Sequence, residues 1–166
     1  MFRQDFAKLT VFNGLDAVQI TALSPFLEEE SFTQGQVIFQ QGQAAGSLYI
    51  LLAGEVLVRY KPYDGPVLTV ARIAPGDVFG WSAALGRDEY TSGAEAVVSC
   101  YAYRIRTENL LHLCDVYPEA GGKLLEGLAG VIAERLRNTH SSILELLNQG
   151  VERKAGGSKR SVVHER

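Results

Sequence analysis

The spacing of apolar residues divides the chain into three regions, of which the first is helical. Phe2–Leu27 carries apolar residues at helical spacing, interrupted at Asn13-Gly14, where a turn is favoured. This pattern predicts two or three short helices. Asp16 is predicted to be the N-cap of the second helix, because its carboxylate can accept hydrogen bonds from the free amides of the first turn.

The second region, from Ser31 to about Ile105, consists of short β-type runs separated by Gly, Pro and Asp. These runs read "SFTQGQVIFQQGQ", "SLYILLAGEVLVRYK", "VLTVARIAPGDVFG" and "AEAVVSCYAYRI". Regular turn signals between such runs predict an antiparallel sandwich or barrel. The segment Lys61–Pro66 is predicted to join two strands as a hairpin, because Pro fixes φ and Asp-Gly supplies the conformations of a reversal.

The third region, after Arg106, returns to helical spacing. Thr107 is predicted to cap a short helix, and Pro118 to begin a longer one that runs to about Gln149 and ends at Gly150. A helix of roughly 30 residues is about 45 Å long, which exceeds the width of a small barrel. Part of its apolar stripe therefore needs another partner, and we expect a parallel homodimer. The alternative is that the whole stripe packs on its own domain. The stripe contains Leu125, Leu128, Ile132, Leu136, Ile143 and Leu147.

These regions predict one α+β, mainly β domain over residues 1–150. We expect an antiparallel β-barrel or jelly roll of about eight strands, with short N-terminal helices and a long C-terminal helix. A length of 166 residues with 46% hydrophobic content fits a single core. Residues 151–166 are predicted to form a basic, disordered tail with a net charge of +3, which leaves −6 on the remainder of a chain whose net charge is −3. Such a remainder is a poor surface for nucleic acid.

Composition and motifs also limit the location and chemistry. No uninterrupted run of about 18 apolar residues is present, so we expect neither a signal peptide nor a membrane span, and a cytoplasmic protein. Cys100 and Cys114 lack CxxC spacing and are predicted to be buried, reduced thiols without a metal. We expect no enzyme, because the chain has no P-loop or nucleophile-elbow motif and a cupin-type metal centre needs histidines on the barrel. The histidines all follow the predicted barrel: His112, His140 and His164.

The order of elements and the glycine spacing resemble a known family. The motifs are "LTVFNGLDAVQITAL", "GQVIFQQGQ", "SLYILLAGEVLV", "IAPGDVFG" and the small-residue stretch leading to "AEAVV", within about Phe6–Asn148. They resemble the cyclic-nucleotide-binding domain of catabolite-activator-type regulators, cyclic-nucleotide-dependent kinase regulatory subunits and gated channels. Tight barrel corners favour residues that adopt positive φ. The glycines at the family's turn positions are Gly35, Gly42, Gly54, Gly76 and Gly80.

The resemblance implies that Gly76–Gly93, "GDVFGWSAALGRDEYTSG", is a phosphate-binding cassette. In the family this segment reads Phe-Gly-Glu, a short apolar helix, Pro-Arg and small residues; the Glu holds the ribose hydroxyl and the Arg pairs with the cyclic phosphate. Here Phe79 and Gly80 match, whereas Trp81 stands at the Glu position and Glu89-Tyr90 at the Pro-Arg positions. Losing two charged hydrogen bonds of about 1.5–3 kcal/mol each weakens binding by roughly a hundred- to ten-thousand-fold.

Other residues of the cassette are candidates to replace the two anchors. Backbone amides at the start of a helical turn after Gly80 are suited to an anion, and Arg87 to a phosphate. Hydroxyl groups supply further donors, and aromatic rings stack on bases. The expected ligand is a cyclic nucleotide, cyclic AMP or cyclic GMP, or another small anion. The candidate ligand-binding residues are Phe79, Gly80, Trp81, Ser82, Ala83, Arg87, Tyr90, Thr91 and Ser92.

The function predicted from the sequence is the first of two, and the second is its alternative. In the first, the domain is a ligand sensor, whose C-terminal helix passes the signal to a protein partner. In the second, it is a ligand-free dimeric scaffold, in which the rings of Trp81 and Tyr90 fill the pocket and Arg87 is solvated beside Asp88 and Glu89. Direct sequence-specific DNA binding is not expected, because a helix-turn-helix module would have to follow the long helix and residues 151–166 are too few to form one.

Overall fold

The computed structural model describes residues 8–157, and within that range the side chains of all residues except 142, 143, 146 and 150–157. The predicted helical residues Phe2 and Phe6 lie outside the described residues. The chain divides into two compact units, Met1–Val131 and Ile132–Arg166. The first holds the barrel and the helices packed on it, and the described part of the second continues the long C-terminal helix.

Eight strands form the barrel within the described residues. They are β1 Glu28–Phe32, β2 Val37–Phe39, β3 Ser47–Ala53, β4 Val56–Tyr60, β5 Leu68–Ile73, β6 Val78–Phe79, β7 Gly93–Ala96 and β8 Cys100–Arg106. The strands form two four-stranded antiparallel sheets of order β1-β8-β3-β6 and β2-β7-β4-β5. The predicted antiparallel jelly roll of about eight strands is confirmed. The glycines at the five predicted corners all have positive φ.

The position of strand β3 between two cores explains why its sequence has an uninterrupted apolar run. Leu48 and Ile50 pack against the helices, whereas Tyr49 and Leu51 face the second sheet, so both faces of the strand are buried. We call the two sides the helix-side core and the barrel core. The helix-side core also contains Val11, Phe12, Leu23, Val78, Tyr103, Ile105, Leu110, Leu113, Leu124 and Leu128. The barrel core contains Phe32, Phe39, Val56, Ile73, Phe79, Tyr90, Ala94, Ala96, Cys100 and Ala102.

Short helices precede the barrel, as predicted. Helix α1 spans Ala17–Leu23, between 3-10 helices at Thr10–Phe12 and Ser24–Phe26. The carboxylate of Asp16 accepts the Gln19 amide at 2.8 Å, and the Gln19 side chain accepts the Asp16 amide at 3.1 Å. Asp16 is thus confirmed as the N-cap, within a reciprocal capping box.

Two helices follow the barrel, α2 at Thr107–Val116 and α3 at Pro118–Gly157. The prediction that Thr107 caps α2 is wrong: the N-cap is Arg106, and the backbone amide of Thr107 donates to the Gly46 carbonyl at 3.0 Å. Pro118 begins α3 as predicted, because its missing N–H costs nothing in the first turn.

Helix α3 does not end at Gly150, as the sequence predicted, but continues to Gly157. A single glycine costs a helix only about 1 kcal/mol, and the residues after it, "VERKA", are mostly good helix formers. The predicted disordered tail is therefore helical over residues 151–157, and its remainder, residues 158–166, lies outside the described residues.

The apolar stripe of α3 is only partly available to a partner. Leu125 and Leu136 are exposed, the latter by 59%, and Ile132 is half-buried. The inclusion of Leu128 in the dimer stripe is wrong, because Leu128 is buried in the helix-side core of its own domain. The side chain of Ile143 lies outside the described residues. The homodimer itself stays a prediction.

Both cysteines are free, as predicted, but only one is fully buried. Cys100 is buried in the barrel core, and its thiol lies 3.3 Å from the Glu55 carbonyl oxygen, which accepts its hydrogen bond. Cys114 is half-buried on α2, and burial raises the pKa of its thiol, with a smaller contribution from Asp115.

Candidate functional site

The cassette contains β6 and, after Phe79, continues as a series of turns. The Leu85 amide donates to the Trp81 carbonyl at 3.1 Å, and the Arg87 amide donates to the Ser82 carbonyl at 3.0 Å. The predicted helical turn is therefore replaced by consecutive turns over residues 81–86. Among the amides at the start of the segment, the Ala83 amide donates to the Gly80 carbonyl at 3.4 Å.

Gly80 has a structural role at the entrance to these turns. Its φ is +73°, and a Cβ added there would lie 3.1 Å from the Ser47 carbonyl oxygen and 3.2 Å from the Phe39 ring. A side chain at this position would strain the backbone and press on the barrel wall. The glycine lets the cassette pack closely against β3, which accounts for it without a ligand.

The second half of the cassette pairs with the turn between β2 and β3. The Tyr90 amide donates to the Gln43 carbonyl at 2.9 Å, and the Gly42 amide donates to the Tyr90 carbonyl at 2.9 Å. The Ala45 amide donates to the Asp88 carbonyl at 2.8 Å. This strand-like pairing fixes the direction of the side chains: Tyr90 is buried in the barrel core, whereas Arg87 and Asp88 are exposed.

The ring of Tyr90 belongs to an aromatic cluster inside the barrel. Only 5% of Tyr90 is exposed, and its ring stacks on Phe39 with a centroid separation of 3.8 Å and an interplanar angle of 16°. Phe39 stacks in turn on Tyr49 at 5.9 Å, and Tyr49 on Phe79 at 5.0 Å. The side chain at the family's phosphate-binding arginine position is thus part of the core.

The hydroxyl of Tyr90 is held by the backbone of Ser47, a buried residue at the start of β3. It accepts the Ser47 amide at 3.1 Å and donates to the Ser47 carbonyl oxygen. The Ser47 hydroxyl accepts the Arg104 Nε at 2.8 Å, and the Arg104 guanidinium lies 3.9 Å from the Glu30 carboxylate. Because the hydroxyl both donates and accepts within the protein, the whole Tyr90 side chain is fixed in place.

Burial perturbs the acidity of both tyrosines of the cluster. It raises the pKa of Tyr49 from 10.0 to about 12, with further increases caused by Tyr90 and Glu30. Burial also raises the pKa of Tyr90, which the hydrogen bond to the Ser47 backbone and the charge of Arg104 partly offset. Both phenols are therefore neutral in the folded protein at neutral pH.

This raised pKa predicts a loss of stability in alkali. Above pH 10 the unfolded chain releases the Tyr49 proton while the folded chain keeps it, so the free energy of unfolding falls as pH approaches 12. Urea unfolding at about pH 8 and about pH 11 is expected to show about 1 kcal/mol less pH-dependent loss in Tyr49→Phe than in wild type. Tyr63→Phe, at a fully exposed tyrosine, is the control. Equal losses in Tyr49→Phe and wild type would contradict the assignment.

Three of the candidate residues, Arg87, Tyr90 and Thr91, line one open groove, and the others do not line it. Ser82 is buried, and its Oγ lies 3.3 Å from the Thr91 Oγ1, so these two hydroxyls join the ends of the cassette. Phe79 and Ala83 are buried, and Ser92 is half-buried. Trp81 is half-buried. The prediction that two rings fill the pocket fits the placement of Tyr90, and for Trp81 it stays a prediction.

Arg87 borders an open groove on the outer side of the cassette. The groove has a volume of about 730 Å³ and is lined by Gln41, Tyr60, Arg87, Asp88, Glu89, Tyr90 and Thr91, together with two glycines. Its ionisable side chains are one cation and two carboxylates, which favour a polar or cationic ligand over an anion.

Sequence reasoning missed the residues that hold Tyr90 in place. The sequence predicts Phe39 and Tyr49 only as strand residues, and it does not single out Ser47. Alternation along the strands could have placed Tyr49 inside the barrel, because it shares its face of β3 with the apolar Leu51. Phe39, the last residue of β2, lies in the same core. Ser47 carried no signal, since a serine that begins a strand is ordinary.

Within the part of the chain that the structure describes, no three His, Cys, Asp or Glu side chains are grouped so as to hold a metal ion. In the same residues, no helix combines the length and the apolar character that a bilayer span requires.

Comparison with known proteins places this geometry in a family. The family model described as "Cyclic nucleotide-binding domain" matches residues 29–117. The CRP-like cAMP-activated global transcriptional regulator of Mycobacterium tuberculosis is 27% identical over 141 residues, which are 85% of this chain and 61% of the relative. The chain thus spans about three fifths of the length of this curated relative.

Solved structures of other proteins are also similar to this chain. The Thermus thermophilus Catabolite Activator Protein has 29% sequence identity and a TM-score of 0.68, over 84% of this chain and 63% of that one. A cyclic nucleotide-binding domain from Methylobacillus flagellatus, with 18% identity and a TM-score of 0.77 over 86% of this chain and 80% of that one, shows the same fold. The family model covers more than half of the chain, including the barrel and the cassette. The chain therefore belongs to the cyclic nucleotide-binding domain family.

Proposed function

We propose that this chain is a non-catalytic regulatory domain of its family that works without a cyclic nucleotide in the usual pocket. The observation that carries the proposal is the Tyr90 side chain, which stands at the phosphate-binding position and is buried against Phe39 and Ser47. Of the two functions that the sequence left open, this one corresponds to the ligand-free module.

Admitting a cyclic phosphate would require Tyr90 to leave the barrel. Removing a large aromatic side chain from a core costs about 3–5 kcal/mol, which corresponds to a roughly hundred- to several-thousand-fold loss of affinity. The absence of a carboxylate at Trp81, where the family holds the ribose, weakens binding further. At cellular concentrations, a nucleotide would not offset both the cost of displacing Tyr90 and the missing carboxylate at Trp81.

The outer groove favours a second candidate function, a sensor for a small molecule other than a nucleotide. Its volume of about 730 Å³ lies within the range of small-molecule sites. Arg87 is outnumbered there by Asp88 and Glu89, so the small anion expected from the sequence is disfavoured at this groove.

Either function needs a surface through which the domain acts on a partner. The exposed side of α3 is the surface we propose for this output. Leu125 in the first unit and Leu136 in the second are each exposed, and each is apolar surface that a second copy, and through it a protein partner, can cover. The proposal includes no DNA contact by these residues, in keeping with the net charge of −3. The cytoplasmic location also stays a prediction.

Calorimetric titration of the wild-type chain with cyclic AMP and cyclic GMP tests the proposal. We expect no saturable heat up to about 1 mM of either nucleotide. Light scattering on the same sample is expected to give the mass of a dimer. Saturable binding at about micromolar nucleotide would overturn the nucleotide-independent function, and a monomer mass would overturn the dimer as its output.

A further inference from the structure

A second cleft lies on the outer face of the sheet β2-β7-β4-β5. Glu95 on β7 stands between Ala94 and Ala96, both buried in the barrel core, so Glu95 faces away from that core. Glu95 lines a cleft of about 320 Å³ between the end of β2 and the arms of the β4–β5 hairpin. The cleft is therefore outside the barrel, on the face opposite the Tyr90 ring.

The walls of this cleft are apolar and exposed. Val37 and Val67 both line it, and 52% and 54% of their surfaces are accessible to solvent. Gly93 contributes no side chain, and a Cβ added there would meet its first neighbour, the Phe39 carbonyl oxygen, only at 3.4 Å. Concave apolar surface of this size, which water covers in the free protein, is typical of small-ligand sites.

Two cations border the same cleft, against one carboxylate. Arg59 and Lys61 both line it, and Arg59 lies 3.4 Å from Glu95, longer than a normal N–H···O hydrogen bond. The Arg59 side chain is 42% exposed, so part of its guanidinium is accessible from the cleft. The net charge of the cleft is +1, because Arg59 and Lys61 face one carboxylate, Glu95.

A hydrogen-bonded bridge fixes the width of the cleft. The Gln41 side chain accepts the Lys61 amide at 2.8 Å and donates to the Lys61 carbonyl at 3.1 Å. It thereby ties the hairpin to the end of β2. Such a preformed site loses little entropy when it binds a ligand.

We propose that this cleft binds a small carboxylic acid with a compact apolar body. The carboxylate pairs with Arg59 and Lys61, and the apolar body lies between Val37 and Val67 above Gly93. A cation is disfavoured by the net positive charge. A neutral apolar molecule gains no charge-assisted hydrogen bond from the two cations. The charged residues of this cleft, Arg59, Lys61 and Glu95, do not belong to the candidate ligand-binding residues of the cassette.

Chemical-shift titration of the full-length ¹⁵N-labelled chain tests the proposal. The probes are phenylacetate, 3-methylbutanoate and cyclohexanecarboxylate, each up to about 10 mM. We expect at least one to give saturable shifts centred on the amides of Gly93, Ala94 and Glu95. Phenylacetamide and 2-phenylethylammonium, which match phenylacetate in shape without its negative charge, are expected to bind at least about tenfold more weakly.

Matched variants separate the cleft from general charge effects. Arg59→Gln is expected to weaken carboxylate binding about tenfold or more, whereas Arg72→Gln, which removes a cation paired with Glu55 on the same sheet, leaves it unchanged. Gly93→Leu, which fills the floor, abolishes it. No saturable shift with any of the three acids would overturn the proposal, as would equal binding of phenylacetamide or an equal effect of Arg72→Gln. None of these outcomes bears on Tyr90.

Discussion

The double variant Trp81→Glu with Tyr90→Arg is expected to bind cyclic AMP roughly a hundred- to ten-thousand-fold more tightly than the wild-type chain. The two substitutions supply the carboxylate and the guanidinium that the family uses for the ribose and the cyclic phosphate. Each charged hydrogen bond contributes about 1.5–3 kcal/mol, and about 1.4 kcal/mol corresponds to a factor of ten. The substitution also removes the Tyr90 ring from the space that the nucleotide needs.

Calorimetry with cyclic AMP measures this gain, and a second double variant controls for the vacated space. Trp81→Glu with Tyr90→Ala opens the barrel without supplying the guanidinium, so we expect it to bind much more weakly. Thermal unfolding of both proteins establishes that they are folded before titration. If the folded Glu-Arg variant binds no better than the Glu-Ala control, the cassette does not present its ligand positions as the family resemblance implies.

The barrel was predictable from the sequence because its corners are a local property. The glycines from Gly35 to Gly80 stand where short strands must turn, and all five predicted corners have positive φ. The capping residue Asp16 and the helix start at Pro118 were predictable for the same reason, since each depends on neighbours within one turn.

The errors concern properties that depend on contacts distant in sequence. Leu128 falls on the same helical stripe as Leu125, but only the fold shows that Leu128 is buried in the helix-side core. Gly150 is a different case, because its stop signal is local and the helix formers that follow it, also local, continue α3 through it. The sequence also left the direction of the Tyr90 ring open, because that direction depends on Phe39 and Ser47, which lie more than 40 residues away.

Replacing Tyr90 by alanine is expected to lower the free energy of unfolding by about 3–5 kcal/mol. The variant loses the stack on Phe39 at 3.8 Å and leaves a cavity between β3 and the cassette. Tyr90→Phe keeps the ring and removes only the hydroxyl, so the Ser47 amide and carbonyl lose a partner at a cost of about 1–3 kcal/mol. The two variants thus separate the packing of the ring from its hydrogen bonds.

Urea unfolding of Tyr90→Ala, Tyr90→Phe and Tyr63→Ala measures these costs, with the fully exposed Tyr63 as the control. The order of stability is expected to be wild type and Tyr63→Ala, then Tyr90→Phe, then Tyr90→Ala. A loss below about 1 kcal/mol in Tyr90→Ala would show that the ring leaves the barrel easily. The nucleotide pocket would then be available at little cost, and the proposed function would lose the observation that carries it. A loss in the expected range means that a nucleotide must compete with the core of the protein for its own binding position.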